Sequence, residues 1–236
     1  MRDAAARTAP APAPREHPII FSDSMVRALL AGRKTQTRRV INPQPVGGVR
    51  PEAVVVGKRT PHGLVDGHGQ PLPRCPYGIA GDRLWVREGY HLDADTLAEA
   101  RAIHEDVMAT MPVLFYRADK ANKGAGCRWR PAIFLPRWAS RLLLELTDVH
   151  VQRLQDITES DARDEGVQTF AHAFPSFGRD QPIVCGDRPD FAAGASPYRA
   201  SFACAWDLIN GSRAPWSSDP WVWALTFNVV EGLSDV

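Results

Sequence analysis

The chain has 236 residues, 44% of them hydrophobic and 23% charged, with a formal net charge of +1. That length supports a full hydrophobic core without disulfide staples. The near-neutral balance excludes a global field that would draw the protein to polyanions, so any nucleic-acid role must rest on local charge.

Residues 1–17 alternate Ala and Pro (MRDAAARTAPAPAPREH) and read as an extended tail, because proline fixes φ and removes hydrogen-bond donors. Order is expected from Pro18, where Pro18-Ile19-Ile20-Phe21 suits a strand. Asp23 or Ser24 can cap a short helix whose apolar face carries Met25, Ala28 and Leu29, with Gly32 as its left-handed terminator. The loop Gly32-Arg33-Lys34-Thr35-Gln36-Thr37-Arg38-Arg39 follows. Four of the seven residues from Arg33 to Arg39 are cationic, and a helix C-terminus favours cations through its dipole. Thr37 to Ile41 reads as a strand leaving this loop.

Residues 43–80 are rich in Pro and Gly and read mainly as loop, with a short strand near Glu52 to Val56. Gly81-Asp82 signals a turn into the alternating strand Arg83 to Glu88. A surface helix is expected over 93–108 and a strand over Val113 to Tyr116. The clearest strand is Ser140 to Val151, SRLLLELTDVHV. Its alternation changes phase between Leu146 and Val149, which predicts a bulge. Thr158 should cap a helix over ESDARDEG, with Asp161 as a weak variant of the capping box and Gly166 as terminator. Residues 170–195 form another Gly/Pro/Phe-rich insertion. A helix is expected from Pro197 to Asn210, with Phe202, Trp206 and Ile209 on one side. Trp221 to Phe227 is the last strand. Five to seven strands with three or four short helices argue for an α+β fold built on a small β-barrel, with peripheral helices, rather than a βαβ sheet.

No stretch is long and apolar enough to span a membrane, and no secretory leader is recognisable, so a cytoplasmic location is expected. The four cysteines, Cys75, Cys127, Cys185 and Cys204, form no C-x-x-C pair and have no close His. They are expected as reduced thiols, with no metal and no cofactor.

Four segments together resemble the ASCH family, a branch of the PUA-like β-barrels. They are Met25 to Arg38 (MVRALLAGRKTQTR), Gly81 to Glu88 (GDRLWVRE), Leu154 to Thr158 with Asp161-Ala162 and Glu165-Gly166, and the closing Pro220-Trp221-Val222-Trp223. Their order is the specific signal, and it is similar to the larger ASCH proteins of phages and prophages. The resemblance implies one PUA-like (ASCH) barrel domain over residues 18–230, with insertions at about 43–80, 89–128 and 168–196 and a short tail at 231–236. It also implies a cleft beside the first helix and binding of RNA or a modified nucleoside. More distantly, the chain resembles amidohydrolases that remove the acetyl group from N4-acetylcytidine. Their lysine, threonine and glutamate fall here on Lys34, Thr37 and Glu165. The alternative function is therefore hydrolysis of an N4-acylated cytidine. An ASCH-type ribonuclease is a third reading, for which no separate motif is present.

The chemistry of these residue types fits both leading readings. Burial or neighbouring cations lower a lysine's pKa, and a neutral Lys34 could act as a base toward the Thr37 hydroxyl. Glu165 could orient the amine. The plain alternative is a solvated basic face, a strand threonine and a helix-end carboxylate. Arg33, Thr35 and Arg38 are candidate ligand contacts, since the guanidinium fork matches phosphate oxygens. On a strand Arg38 and Arg39 point to opposite faces, so one should serve the cleft and the other pair with a carboxylate. Trp85 is the candidate stacking ring and Glu88 a candidate base-edge contact or partner of Arg38. Arg128-Trp129-Arg130 and Arg137-Trp138 interleave cations with aromatics, a pattern shared by nucleic-acid surfaces and by packed loops.

Overall fold

The computed structural model describes residues 13–49, 65–92, 114–119, 128–167 and 197–232. The helix expected over 93–108, the strand near Glu52 and the whole 170–195 insertion lie outside them.

The described residues form a mixed α+β structure. Five strands make one sheet: β1 (Glu16–Ile20), β2 (Gln36–Val40), β3 (Arg83–Arg87), β6 (Leu142–Arg153) and β7 (Trp221–Gly232), in the order β1-β3-β6-β7-β2. A separate pair joins β4 (Tyr90–Leu92) to β5 (Leu114–Tyr116). β1 runs parallel to β3, and the other pairings are antiparallel. The α-helices are α1 (Asp23–Leu30), α2 (Glu159–Asp164) and α3 (Pro197–Asn210). β1 starts two residues before the expected domain edge, and β7 runs into the expected tail.

β6 carries the irregularity that its sequence predicts. The register with β7 shifts between Leu146 and Asp148, and also between Leu143 and Leu144. After the shift, Val149 and Val151 point inward opposite Leu225 and Trp223. Asp148, His150 and Gln152 take the other face.

These bulges belong to a sheet that rolls up. β1 and β2 are its two edges, and five flat strands would hold them about 19 Å apart at ~4.8 Å per interval. Yet the Arg39 guanidinium on β2 donates to the Ile20 carbonyl of β1 at 2.6 Å and lies over the Phe21 ring. Among the described residues no backbone ladder joins the two edges, so side chains rather than a strand pairing span the seam. Inside the roll pack Ile19, Phe21, Leu84, Val86, Leu144, Leu146, Val149, Val151, Trp223, Leu225 and Phe227. Outside it, α2 and α3 cover the sheet through Leu154, Ile157, Ala162, Phe202, Trp206, Trp216 and Val222.

Helix ends set the local geometry of the basic loop. The N-cap of α1 is Ser22, one residue before the expected cap, and Asp23 instead accepts from Arg117 at 2.6 Å. Gly32 adopts φ +66, and the Gly32 and Arg33 amides return to the Leu29 and Ala28 carbonyls. This closes α1 and turns the chain sharply into Lys34. α2 shows the full reciprocal capping box between Thr158 and Asp161. Cys75 is a buried free thiol whose pKa burial pushes up to about 12. Cys204 is disulfide-bonded, which corrects the expectation of reduced thiols throughout.

Candidate functional site

Lys34 sits between the end of α1 and the start of β2, and it pairs with Glu165 through an isolated β-bridge. Its side chain runs inward and is 1% exposed. The ammonium donates to three acceptors: the Gln36 carbonyl at 2.8 Å, the Glu165 carbonyl at 2.9 Å and Glu165 Oε2 at 2.7 Å. It also lies 5.5 Å from the centre of the Phe21 ring. Burial pushes the amine below the ordinary lysine range, and the Glu165 carboxylate opposes that shift.

Glu165 caps the end of α2 and is buried. Its second oxygen, Oε1, accepts from Arg38 Nη1 at 3.3 Å. Arg38 also donates to Gln36 Oε1 at 3.2 Å and lies 3.3 Å from Asp161 Oδ2. Gln36 Nε2 in turn donates to Asp161 Oδ1 at 3.1 Å. Burial tends to raise the Asp161 carboxyl, but the Thr158 cap, Gln36 and Arg38 together hold it below its ordinary value. The result is a closed ring of polar contacts that fixes Arg38 and Glu165 in place. Gly166 lets this ring lie close to α1: at φ +80, an added Cβ would come within 2.9 Å of the Cβ atoms of both Ala28 and Lys34.

The ring borders an open hollow of about 740 Å³, part of it solvent at the mouth. One wall is polar, from Thr37, Arg38, Arg39 and Glu165, with Arg33 at the rim. Much of the remaining lining is apolar, from Met25, Ala28, Val167, Phe202, Ala205, Trp206 and Ile209, with Ser24 and Asn210 among it. β2 is an edge strand, so residues of both its faces reach the hollow. Arg38 shares the outer face with Ala224, and Thr37 and Arg39 share the inner face with Leu225 and Trp223.

The structure thus brings Lys34, Thr37, Arg38 and Glu165 together. Lys34 stands behind Glu165 and does not line the hollow. Arg33 is exposed and reaches the Gly166 carbonyl at 3.4 Å. Arg38 and Arg39 do point to opposite faces. Contrary to the expectation, both border the hollow, and the second binds a backbone carbonyl rather than a carboxylate.

Three candidates lie elsewhere. Thr35 is held by its backbone, between the Asp164 carbonyl and the Phe227 amide, and does not line the hollow. Trp85 is buried under the Arg87 guanidinium on β3, three strands from β2. Glu88 is 1% exposed and clamped by Arg141 through two hydrogen bonds of 2.8 and 3.0 Å, not by Arg38. Burial pushes its carboxyl up, and Arg141 offsets this only in part.

The aromatic wall is Phe202 and Trp206 instead, with ring centres 6.0 Å apart. The Trp206 indole N–H is already used on the Ala214 carbonyl at 2.7 Å, which leaves its faces for packing. Their helical spacing in α3 is legible in the sequence, but their position beside the basic loop is not. Among the described residues, no group of His, Cys, Asp and Glu is arranged to hold a metal ion, and no helix is long and apolar enough to cross a membrane.

No family model matches the chain, and no curated protein does. Among solved structures, it is similar to protein EF3133 from Enterococcus faecalis V583, assigned to the DUF984 family. The identity is 11%, over 96% of this chain and 86% of that one, with a TM-score of 0.35. A likeness of that size carries no argument about fold or function.

Proposed function

We propose that this chain is an ASCH-like protein of the PUA superfamily that binds a nucleoside, free or within RNA, in the hollow between β2 and α3. The rolled, side-chain-bridged sheet is the form in which the PUA-like barrel occurs on this reading. The observation that carries it is the pairing of two unlike walls around one space. Phe202 and Trp206, 6% and 4% exposed, line the apolar side, against which a base can pack. Arg38 and Thr37 offer donors for a base carbonyl, and Glu165 offers an acceptor for an exocyclic amine. Arg33 at the rim is placed for a phosphate.

Titration with cytidine, N4-acetylcytidine, uridine and adenosine by calorimetry tests this. Saturable binding of at least one nucleoside is expected, and Arg38→Ala should weaken it about ten- to hundredfold, the range for a lost hydrogen bond to a charged group. No binding of any of the four, or equal binding by the variant, overturns the reading.

The second reading, an amidohydrolase acting on an N4-acylated cytidine, is favoured by the 2.7 Å contact of Lys34 with Glu165 beside Thr37. In it the Thr37 oxygen adds to the acyl carbonyl and gives its proton to a base. The amine of the base leaves with a proton, and water then hydrolyses the Thr37 ester. The weight against it is that the Lys34 ammonium donates all three of its protons to acceptors, so it has no lone pair to offer until it gives one of them up. Release of cytidine from N4-acetylcytidine, lost in Thr37→Ala, would establish the enzyme. No release by the wild-type protein leaves the binding reading alone.

A further inference from the structure

A second surface, distant in the chain from the hollow, has features that core packing does not explain. Residues 128–141, RWRPAIFLPRWASR, contain four arginines and no acidic residue. Two 3-10 turns, Ala132–Phe134 and Arg137–Ala139, fold this segment against the β4–β5 pair. Leu135 and Ala139 point inward and are buried with Tyr90. The backbone is pinned at several points. Arg130 and Tyr90 form a bridge, Tyr90 Oη donates to the Phe134 carbonyl at 3.1 Å, and Tyr116 Oη donates to the Ala139 carbonyl at 2.8 Å.

On this rigid support the large apolar side chains face outward. Ile133 is 56% exposed, Phe134 68% and Trp138 53%. Three large apolar side chains exposed between Ile133 and Trp138 on an anchored segment are the kind of display that marks an interaction surface. The cations beside them divide into two kinds. Arg137 is committed to Glu16 at 2.7 Å, and Arg141 to Glu88 and Asp119. Arg128 and Arg130 are exposed and have no carboxylate partner among the described residues. Trp129 between them is half-buried and packs edge-on against His91 at 6.1 Å between ring centres.

We infer that residues 128–138 form a docking surface for single-stranded RNA, with bases stacking on Phe134 and Trp138 and phosphates meeting Arg128 and Arg130. Charge selects an anionic partner, and exposed rings select one with flat faces to stack. Two short 3-10 turns give no amphipathic helix of the kind that lies in a membrane surface. The choice of a ribose strand over a deoxyribose one rests on the RNA reading of the hollow. The surface itself rests only on its own residues.

The test uses the full chain and a short labelled single-stranded RNA, read by fluorescence anisotropy over a range of salt. Phe134→Ser with Trp138→Ser should weaken binding about tenfold or more, as expected for lost base stacking. Arg128→Ala with Arg130→Ala should lower the slope of log affinity against log salt by about 0.7 for each cation. All four positions are exposed, so unchanged circular dichroism is expected in both variants. Nucleoside binding in the hollow should also be unchanged, which separates failure here from failure of the hollow assignment. Unchanged RNA affinity and slope in both variants overturn the inference. So does tighter binding of DNA of the same sequence. Loss of binding to anionic phosphatidylserine vesicles without any change toward RNA overturns it in favour of a membrane surface.

Discussion

Among the described residues two glutamates are buried, and they have opposite surroundings. Glu88 is closed in: Arg141 grips both its oxygens, Arg141 also holds Asp119, and its guanidinium lies 4.1 Å from the centre of the Tyr116 ring. Glu165 is equally well paired, to Lys34 and Arg38, but it borders an open hollow faced by Phe202 and Trp206. Buried, paired charge alone therefore does not mark a site, because structural networks make the same arrangement. What differs is access: one carboxylate keeps a direction in which a ligand can approach, and the other has none.

The contrast is sharpest under mutation. Glu165→Ala leaves a fully buried ammonium without its counter-charge, and such losses cost about 3–5 kcal/mol. Urea unfolding should show that loss, and nucleoside binding should vanish. A variant that binds normally would remove Glu165 from the site. Glu88→Gln should lower stability by roughly 1–3 kcal/mol, since one charged partner of Arg141 is lost. It should leave nucleoside affinity as it was, and a weakened affinity would dissolve the distinction between the two glutamates.

Acid separates the regions further. Asp161 holds Arg38 and is kept below its ordinary carboxylate value of 3.8. Its contribution is present above 3.8 and is lost as pH falls through the lower folded value. Glu88 is raised above its ordinary 4.5, so its contribution is complete below 4.5 and lost as pH rises through the folded value. Nucleoside affinity should then hold from neutral pH down to that range and fall only in stronger acid. Asp161→Asn should bring the lowered affinity to neutral pH and remove the acid step. An acid step that survives in this variant would assign it to another group. The smallest effect concerns Arg33, which is exposed at the rim. Arg33→Ala should leave unfolding unchanged and reduce the salt slope of RNA binding by about 0.7. An unchanged slope would take phosphate contact away from the basic loop.

Much of this frame is legible in the residues. The bulge in β6 follows from the phase change between Leu146 and Val149, since alternation has a strict period of two. Gly32 and Thr158 mark helix ends by local rules that need no tertiary knowledge. The site divides differently. Lys34 and Arg38 are joined through Glu165 and Thr37 lines the same hollow, although Lys34 and Glu165 are far apart in the chain and no spacing rule joins them. Trp85 and Glu88 read as candidates in the sequence because an aromatic ring and a carboxylate belong to one strand segment. Which edge of a sheet a strand occupies is a tertiary fact, however, and β3 lies three strands from β2. Phe202 and Trp206 show an apolar helix stripe, which is read first as core; they are indeed buried, and only the fold reveals that they also line the hollow.

The three acceptors around Lys34 Nζ carry one more consequence. An ammonium directs its hydrogens along the corners of a tetrahedron, whereas a guanidinium spreads its donors in a plane. Two main-chain oxygens and one side-chain oxygen converge on this nitrogen from different elements. An arginine would preserve the charge and still be unable to join them, so the shape of the loop depends on the stereochemistry of a primary amine rather than on its sign.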